Sequence, residues 1–131
     1  MAFTSAWAVG SVDAPALIER AVHRGEIWTA AFAPDGRHLA TVGEDGLLAV
    51  TDPRDGATAT VSEGSIGVAW LGADGLLSVD RDGAMRRWTS DASGRWRAGR
   101  ALPHGADPYG VLAAPGGDWA VSYGAGPRAR L

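Results

Sequence analysis

His23 and His104 are the side chains best suited to proton chemistry, because an unperturbed imidazole titrates close to neutral pH. They lie 81 positions apart, and a general base would need further groups converging on it. Asp35, Asp45, Asp74 and Asp82 offer carboxylates, but each precedes a glycine. There an aspartate supports a turn by bonding its own backbone. The alternating acids of a calcium loop are absent, and the chain has no cysteine, which excludes disulfides and thiolate metal sites. Six arginines, Arg81, Arg86, Arg87, Arg95, Arg97 and Arg100, gather in one stretch. Arg95 and Arg97 share a face of any extended strand and suit a solvated or charge-protected edge. No catalytic set, metal site or cofactor site is expected from these residues.

The elements that must position these groups are short. Apolar residues make up 46% of the 131 and charged residues 21%, the balance of a globular chain. The net charge of −3 argues against nucleic acid as a partner. No apolar run approaches a membrane span, and the first residues lack a signal-peptide pattern, so a cytoplasmic protein is expected. All twelve basic residues are arginine, and lysine, asparagine and glutamine are missing. Codon bias in a G- and C-rich genome explains that pattern, and a bacterial source is expected.

The chain repeats itself. Residues 23–50 align without a gap on residues 104–131, placing His23 on His104, Trp28 on Tyr109, Thr41 on Ser122 and Gly43 on Gly124. A middle copy is offset by 39 at Gly25 and Gly64 and at Ile27 and Ile66, then loses two residues before Asp45 meets Asp82. The mean period is near 40. Within a copy, runs of five or six residues alternate with Pro-Asp-Gly and Asp-Gly turns, which is hairpin chemistry. Four strands in forty residues match one propeller blade. Ala14–Val22 reads as an outer strand ahead of the first blade.

The stretch from Ile27 to Gly46 resembles the first half of a WD repeat, and Asp82-Gly-Ala-Met-Arg-Arg-Trp-Thr resembles its third strand with the closing tryptophan. The resemblance runs from about Ala16 to Leu131. It implies an all-β fold, an incomplete β-propeller of about three four-stranded antiparallel blades, at 16–52, 57–89 and 95–131, after an arm or partial strand at 1–15. It also implies a structural tetrad of His, Ser or Thr, Asp and Trp in each copy. The first copy supplies His23, Thr41 and Asp45, with Thr51 in the tryptophan slot. The second supplies Ser78, Asp82 and Trp88, with Ser62 in the histidine slot. The third supplies His104 and Ser122, with Gly126 in the aspartate slot, and ends at Leu131 one residue before the tryptophan.

Trp28 and Tyr109 share a slot at the start of the innermost strand, the end that faces the common binding surface in this family. With Glu44 and Arg81 they are the candidate binding residues. Trp70 and Trp88 are expected in packing between blades. Thr89–Trp96 is also similar to the Asp-box turn of sialidase-type propellers, although its glycine is displaced. The expected role is a scaffold presenting loop surfaces to a protein partner, with two copies able to close a ring. The alternatives are a fragment or sensor arm of a larger bacterial protein, and a propeller hydrolase, lyase or sialidase-like glycan binder.

Overall fold

The computed structural model describes residues 4–9, 18–72, 74–103 and 107–125. Twelve strands account for about two thirds of them. They are β1 (Thr4–Val9), β2 (Ile18–Arg24), β3 (Ile27–Phe32), β4 (Leu39–Gly43), β5 (Leu48–Thr51) and β6 (Thr58–Ser62). There follow β7 (Ser65–Trp70), β8 (Gly75–Asp80), β9 (Ala84–Ser90), β10 (Trp96–Pro103), β11 (Pro108–Ala113) and β12 (Ala120–Gly124). All pairings are antiparallel between sequence neighbours. The sheets are β3-β4-β5-β6 and β7-β8-β9-β10, flanked by the two-stranded sheets β1-β2 and β11-β12.

Twelve strands are three blades' worth, and among the described residues they form two four-stranded sheets and two two-stranded ones. The hydrogen-bonded unit is also shifted from the repeat read in the sequence. Each outer strand closes the sheet of the three strands before it, pairing with the last of them, so the whole sheets run over 27–62 and 65–103. Of the expected strand at Ala14–Val22, residues 18–22 belong to β2, which continues to Arg24 and pairs with β1, and residues 14–17 lie outside the described residues. The physical reason is the turn: Asp52-Pro-Arg-Asp-Gly56 closes a tight hairpin between β5 and β6, with Gly56 N–H donating to the Asp52 carbonyl at 2.8 Å. By contrast, the step from β6 to β7 passes through Gly64 at φ +82° and into the next sheet.

The turns follow from their residues. In Ala33-Pro-Asp-Gly36 the Ala33 N–H donates to the His38 carbonyl at 2.8 Å and the Gly36 N–H to the Ala33 carbonyl at 2.9 Å. Asp35 accepts from the Arg37 N–H at 2.7 Å, the local bond for which aspartate is favoured in turns. That bond comes first in holding its carboxyl below the ordinary value.

The core lies between the whole blades. Leu48, Val42, Val50 and Ala40 of the first pack with Val68, Trp70 and Leu76 of the second. β4 and β5 are buried along their whole length, because a middle strand has neighbours on both sides and a blade on each face. Burying each leucine or valine contributes roughly 1.5–3 kcal/mol. Trp70 adds direction: its indole N–H donates to the Ala31 carbonyl at 2.8 Å, and its ring meets Trp96 edge-on at 6.0 Å. A second cluster, Ala69, Leu77, Val79 and Val111, joins the second blade to the half-blade β11-β12.

Candidate functional site

The innermost strands β3, β7 and β11 stand side by side and line an open cavity of about 810 Å³. Each begins with the same irregularity. The ladder skips Trp28 between Ile27 and Thr29, Ile66 between Ser65 and Gly67, and Tyr109 between Pro108 and Gly110. An extra residue of this kind is a β-bulge, which re-aims its side chain out of the ladder. Trp28, Ile66 and Tyr109 therefore form one row on the cavity wall. The hydrogen bonding corrects the alignment here: Ile27 corresponds to Ser65, not Ile66, an offset of 38 rather than 39 within this strand. Phe32 and Leu112 continue the wall, and both are exposed.

Three of the four candidate binding residues, Trp28, Glu44 and Arg81, converge at one end of this row. The Arg81 guanidinium lies 5.2 Å from the centroid of the Trp28 ring, in cation–π geometry. Its Nη2 donates weakly to the Glu44 carbonyl at 3.4 Å. Glu44 is held in its loop by reciprocal bonds: its N–H donates to the Glu26 carbonyl at 2.7 Å, and its carboxylate accepts from the Glu26 N–H at 3.3 Å. Gly25 makes room for that carboxylate. A Cβ on it would stand 2.6 Å from Glu44 Oε2, and its φ is +85°. Tyr109 is farther round the wall and 64% exposed. Tyr123 lies over Gly110, where a Cβ would meet its hydroxyl at 2.5 Å. Ile66 and Tyr123 escaped the sequence reading, since only hydrogen-bond register reveals the bulge and only packing reveals the tyrosine.

The tetrad residues lie away from this wall. His23 is buried, with Nε2 2.7 Å from Thr41 Oγ1 and Nδ1 3.0 Å from Asp45 Oδ1. Asp45 also accepts from the N–H groups of Arg24 at 2.9 Å and Leu47 at 3.1 Å. Burial pushes the Asp45 carboxyl up, but the bonds from Arg24, His23 and Leu47 together leave it below the ordinary value. In the tryptophan slot, buried Thr51 bonds Thr58 at 3.0 Å instead.

The second blade is organised differently. Trp88 Nε1 donates to Ser78 Oγ at 3.0 Å, bringing those two candidates together. Asp82 instead accepts from the Ala84 N–H at 3.2 Å within its own turn. The carboxylate reached by the serines at the β6–β7 step is Asp80: Ser62 Oγ lies 2.7 Å from Ser65 Oγ, which donates to Asp80 Oδ1 at 3.1 Å. Burial raises the Asp80 carboxyl above its ordinary value, with the Ser65 bond opposing. In the third copy Ser122 is buried on β12, while His104, Gly126 and Leu131 lie outside the described residues.

A smaller cavity of about 460 Å³ opens beside Trp70 and Trp96. Its acids are already engaged. Asp52 accepts from Arg37 Nε at 2.9 Å and Arg54 Nη2 at 3.2 Å, and the Arg54 and Arg37 bonds hold its carboxyl well below the carboxylate range. Asp91, in the segment similar to an Asp-box, accepts from the N–H groups of Ser93 at 2.9 Å and Arg95 at 3.1 Å. This is a turn built around one carboxylate, and Arg97 stands 3.8 Å from it on the outer strand.

No family model matches the sequence, and no curated protein matches it. Among solved structures, a chain in the crystal structure of a mitotic checkpoint complex superposes with a TM-score of 0.70 at 19% identity. The match covers 81% of this chain and 37% of that one, so this chain spans well under half of its neighbour. The fold is all-β, an incomplete β-propeller of four-stranded antiparallel blades.

Proposed function

We propose that the chain is a protein-interaction scaffold whose contact surface is the wall formed by β3, β7 and β11. The observation that carries this reading is the triple bulge that sets Trp28, Ile66 and Tyr109 in one row beside Arg81. Aromatic and arginine side chains in such a row are the types that dominate protein contacts. Binding is favoured over catalysis because both ring nitrogens of buried His23 are engaged in the fold. The superposed neighbour belongs to a protein complex, which agrees with a protein partner. The net charge of −3 disfavours nucleic acid. A cytoplasmic, bacterial setting completes the proposal.

A peptide selected from a display library against the purified chain provides the test. Its affinity is measured by fluorescence anisotropy on the native protein, on Trp28→Ala/Tyr109→Ala, and on Leu102→Ala, which alters an exposed residue of β10. The double variant is expected to weaken binding by about 30-fold or more, the loss associated with hot-spot residues, and Leu102→Ala by less than about 2-fold. Undiminished binding by the double variant removes the wall as the contact surface.

A further inference from the structure

The two ends of the strands meet their charges differently. At the end of the β3–β4, β5–β6 and β9–β10 turns, acids are paired within the fold. Asp35 meets His38 at 3.0 Å, Asp52 meets Arg37 at 2.9 Å and Arg54 at 3.2 Å, and Asp91 lies 3.8 Å from Arg97. The opposite end is the rim of the wall formed by β3, β7 and β11. Backbone bonds tie its loops together. The Glu44 N–H donates to the Glu26 carbonyl at 2.7 Å, the Ser65 N–H to the Gly46 carbonyl at 3.1 Å and the Arg81 N–H to the Gly64 carbonyl at 3.0 Å.

On this rim Glu26, Glu44, Glu63, Asp82 and Asp107 are exposed, as are the cations Arg24 and Arg81. None of these side chains forms an ion pair with another described residue. An excess of carboxylates on loops beside an apolar wall gives the rim a negative potential, which the low-dielectric wall concentrates. The same place already holds a cation. The Arg81 guanidinium lies 5.2 Å from the Trp28 ring centroid, and its side-chain bond to the Glu44 carbonyl is a long 3.4 Å. An aromatic face beside carbonyl and carboxylate oxygens is a seat for a planar cation.

We infer that the protein segment received by this wall is basic, setting arginine or lysine side chains on the rim and apolar ones against Trp28, Ile66 and Tyr109. The inference rests on the wall being the contact surface. An acidic segment would set its carboxylates against Glu26, Glu44, Glu63 and Asp82, and like charges juxtaposed across an interface exclude a partner. The wall supplies the buried area, and the rim selects what enters. Selection of this kind acts on the rate of encounter and fades as salt screens it, over a Debye length of about 10 Å at 0.1 M.

Matched labelled peptides test the inference. They share one apolar frame, and their variable positions hold arginine, glutamine or glutamate. Affinity is read by fluorescence anisotropy on the purified chain. At low salt the arginine peptide is expected to bind about 10-fold or more tighter than the glutamine peptide, and the glutamate peptide more weakly than either. Glu26→Lys/Glu63→Lys reverses two rim charges and is expected to abolish the preference. Glu26→Gln/Glu63→Gln, which keeps the side-chain shape, is expected to reduce it. Asp74→Lys/Asp118→Lys makes the same change in net charge on exposed turns at the far end, and is expected to leave the preference within about 2-fold. Circular dichroism checks that each variant folds.

Trp28→Ala/Tyr109→Ala separates this inference from the reading it rests on. Arginine-peptide binding that falls in the rim variants but not in the aromatic variant removes the wall and keeps the basic partner. Equal binding of the arginine and glutamate peptides, weakened in the aromatic variant, keeps the wall and overturns the inference. Equal loss of preference at both ends overturns it too, and so does an arginine peptide that does not bind.

Discussion

At the first whole blade the buried His23, from β2 of the preceding half-blade, joins Thr41 to Asp45, whereas at the second the corresponding ground is held by Ser62, from β6 of the preceding blade, and Ser65, which reaches Asp80. The tryptophan shows the reverse distribution. Trp88 bonds Ser78 in the second blade, and the first has Thr51 bonded to Thr58. Of the tetrad that the WD-repeat resemblance implies, the first blade thus engages three members and lacks the tryptophan, while the second engages only the serine and the tryptophan. The strands, their order and the buried apolar interface between the blades are nonetheless shared. The comparison teaches that the apolar interface sets the architecture, while the polar clamp can be rebuilt from whatever hydrogen-bonding groups satisfy one another. Burial demands satisfaction, not a particular residue.

The sharpest way to break this comparison is to attack the shared interface. Trp70→Ala removes a ring packed in the core and its bond to the Ala31 carbonyl. A loss of about 3–5 kcal/mol is expected in urea unfolding. If either polar change below costs more, the apolar interface does not set the architecture.

A second, smaller effect separates the clamps. His23→Ala strands both Thr41 and Asp45, and a cost of about 2–3 kcal/mol is expected. Ser65→Ala removes one hydroxyl from the Asp80 network, and about 1 kcal/mol is expected. Equal costs, read by the same unfolding titration, would erase the asymmetry between the blades.

The smallest effect is the pH dependence, and the two blades should differ in sign. Asp45 is held below the ordinary value of 3.8. The stability it contributes is present above that value and is lost as pH falls through its folded-state titration. Asp80 is raised above 3.8. Its contribution is full below that value and is lost as pH rises through its folded-state titration. Thermal melts from pH 3 to 7 should therefore show a shallower acid decline for Asp45→Asn than for the native chain. Asp80→Asn should be at least as stable as the native chain at pH 7. A parallel response of both variants would contradict the opposite environments.

The period, the hairpin turns and the all-β class were legible because each is written locally. Pro-Asp-Gly and Asp-Gly fix the turn positions, and runs of five or six residues between them exclude helices. The bulges were not legible. Trp28, Ile66 and Tyr109 differ in size and polarity, and a skipped ladder position has no residue signature, so the alignment set Ile27 on Ile66. The engagement of Asp80 was hidden for a related reason. Asp82 precedes a glycine in the expected slot, but its turn takes it, and Asp80 at the strand end is closer to Ser65. The sequence also grouped each outer strand with the blade that follows it, because the repeat unit and the hydrogen-bonded unit begin at different strands.

The pairing of each described strand with its sequence neighbour has a consequence for synthesis. No sheet waits for a distant segment: the first whole blade has all its strands once residue 62 has left the ribosome, and the second once residue 103 has. The indole bond that joins them spans only 39 positions, from Ala31 to Trp70. Pairing between sequence neighbours keeps the loops to be closed within each described sheet short, while contacts between blades span about forty positions. The blades should therefore assemble in the order in which they are translated.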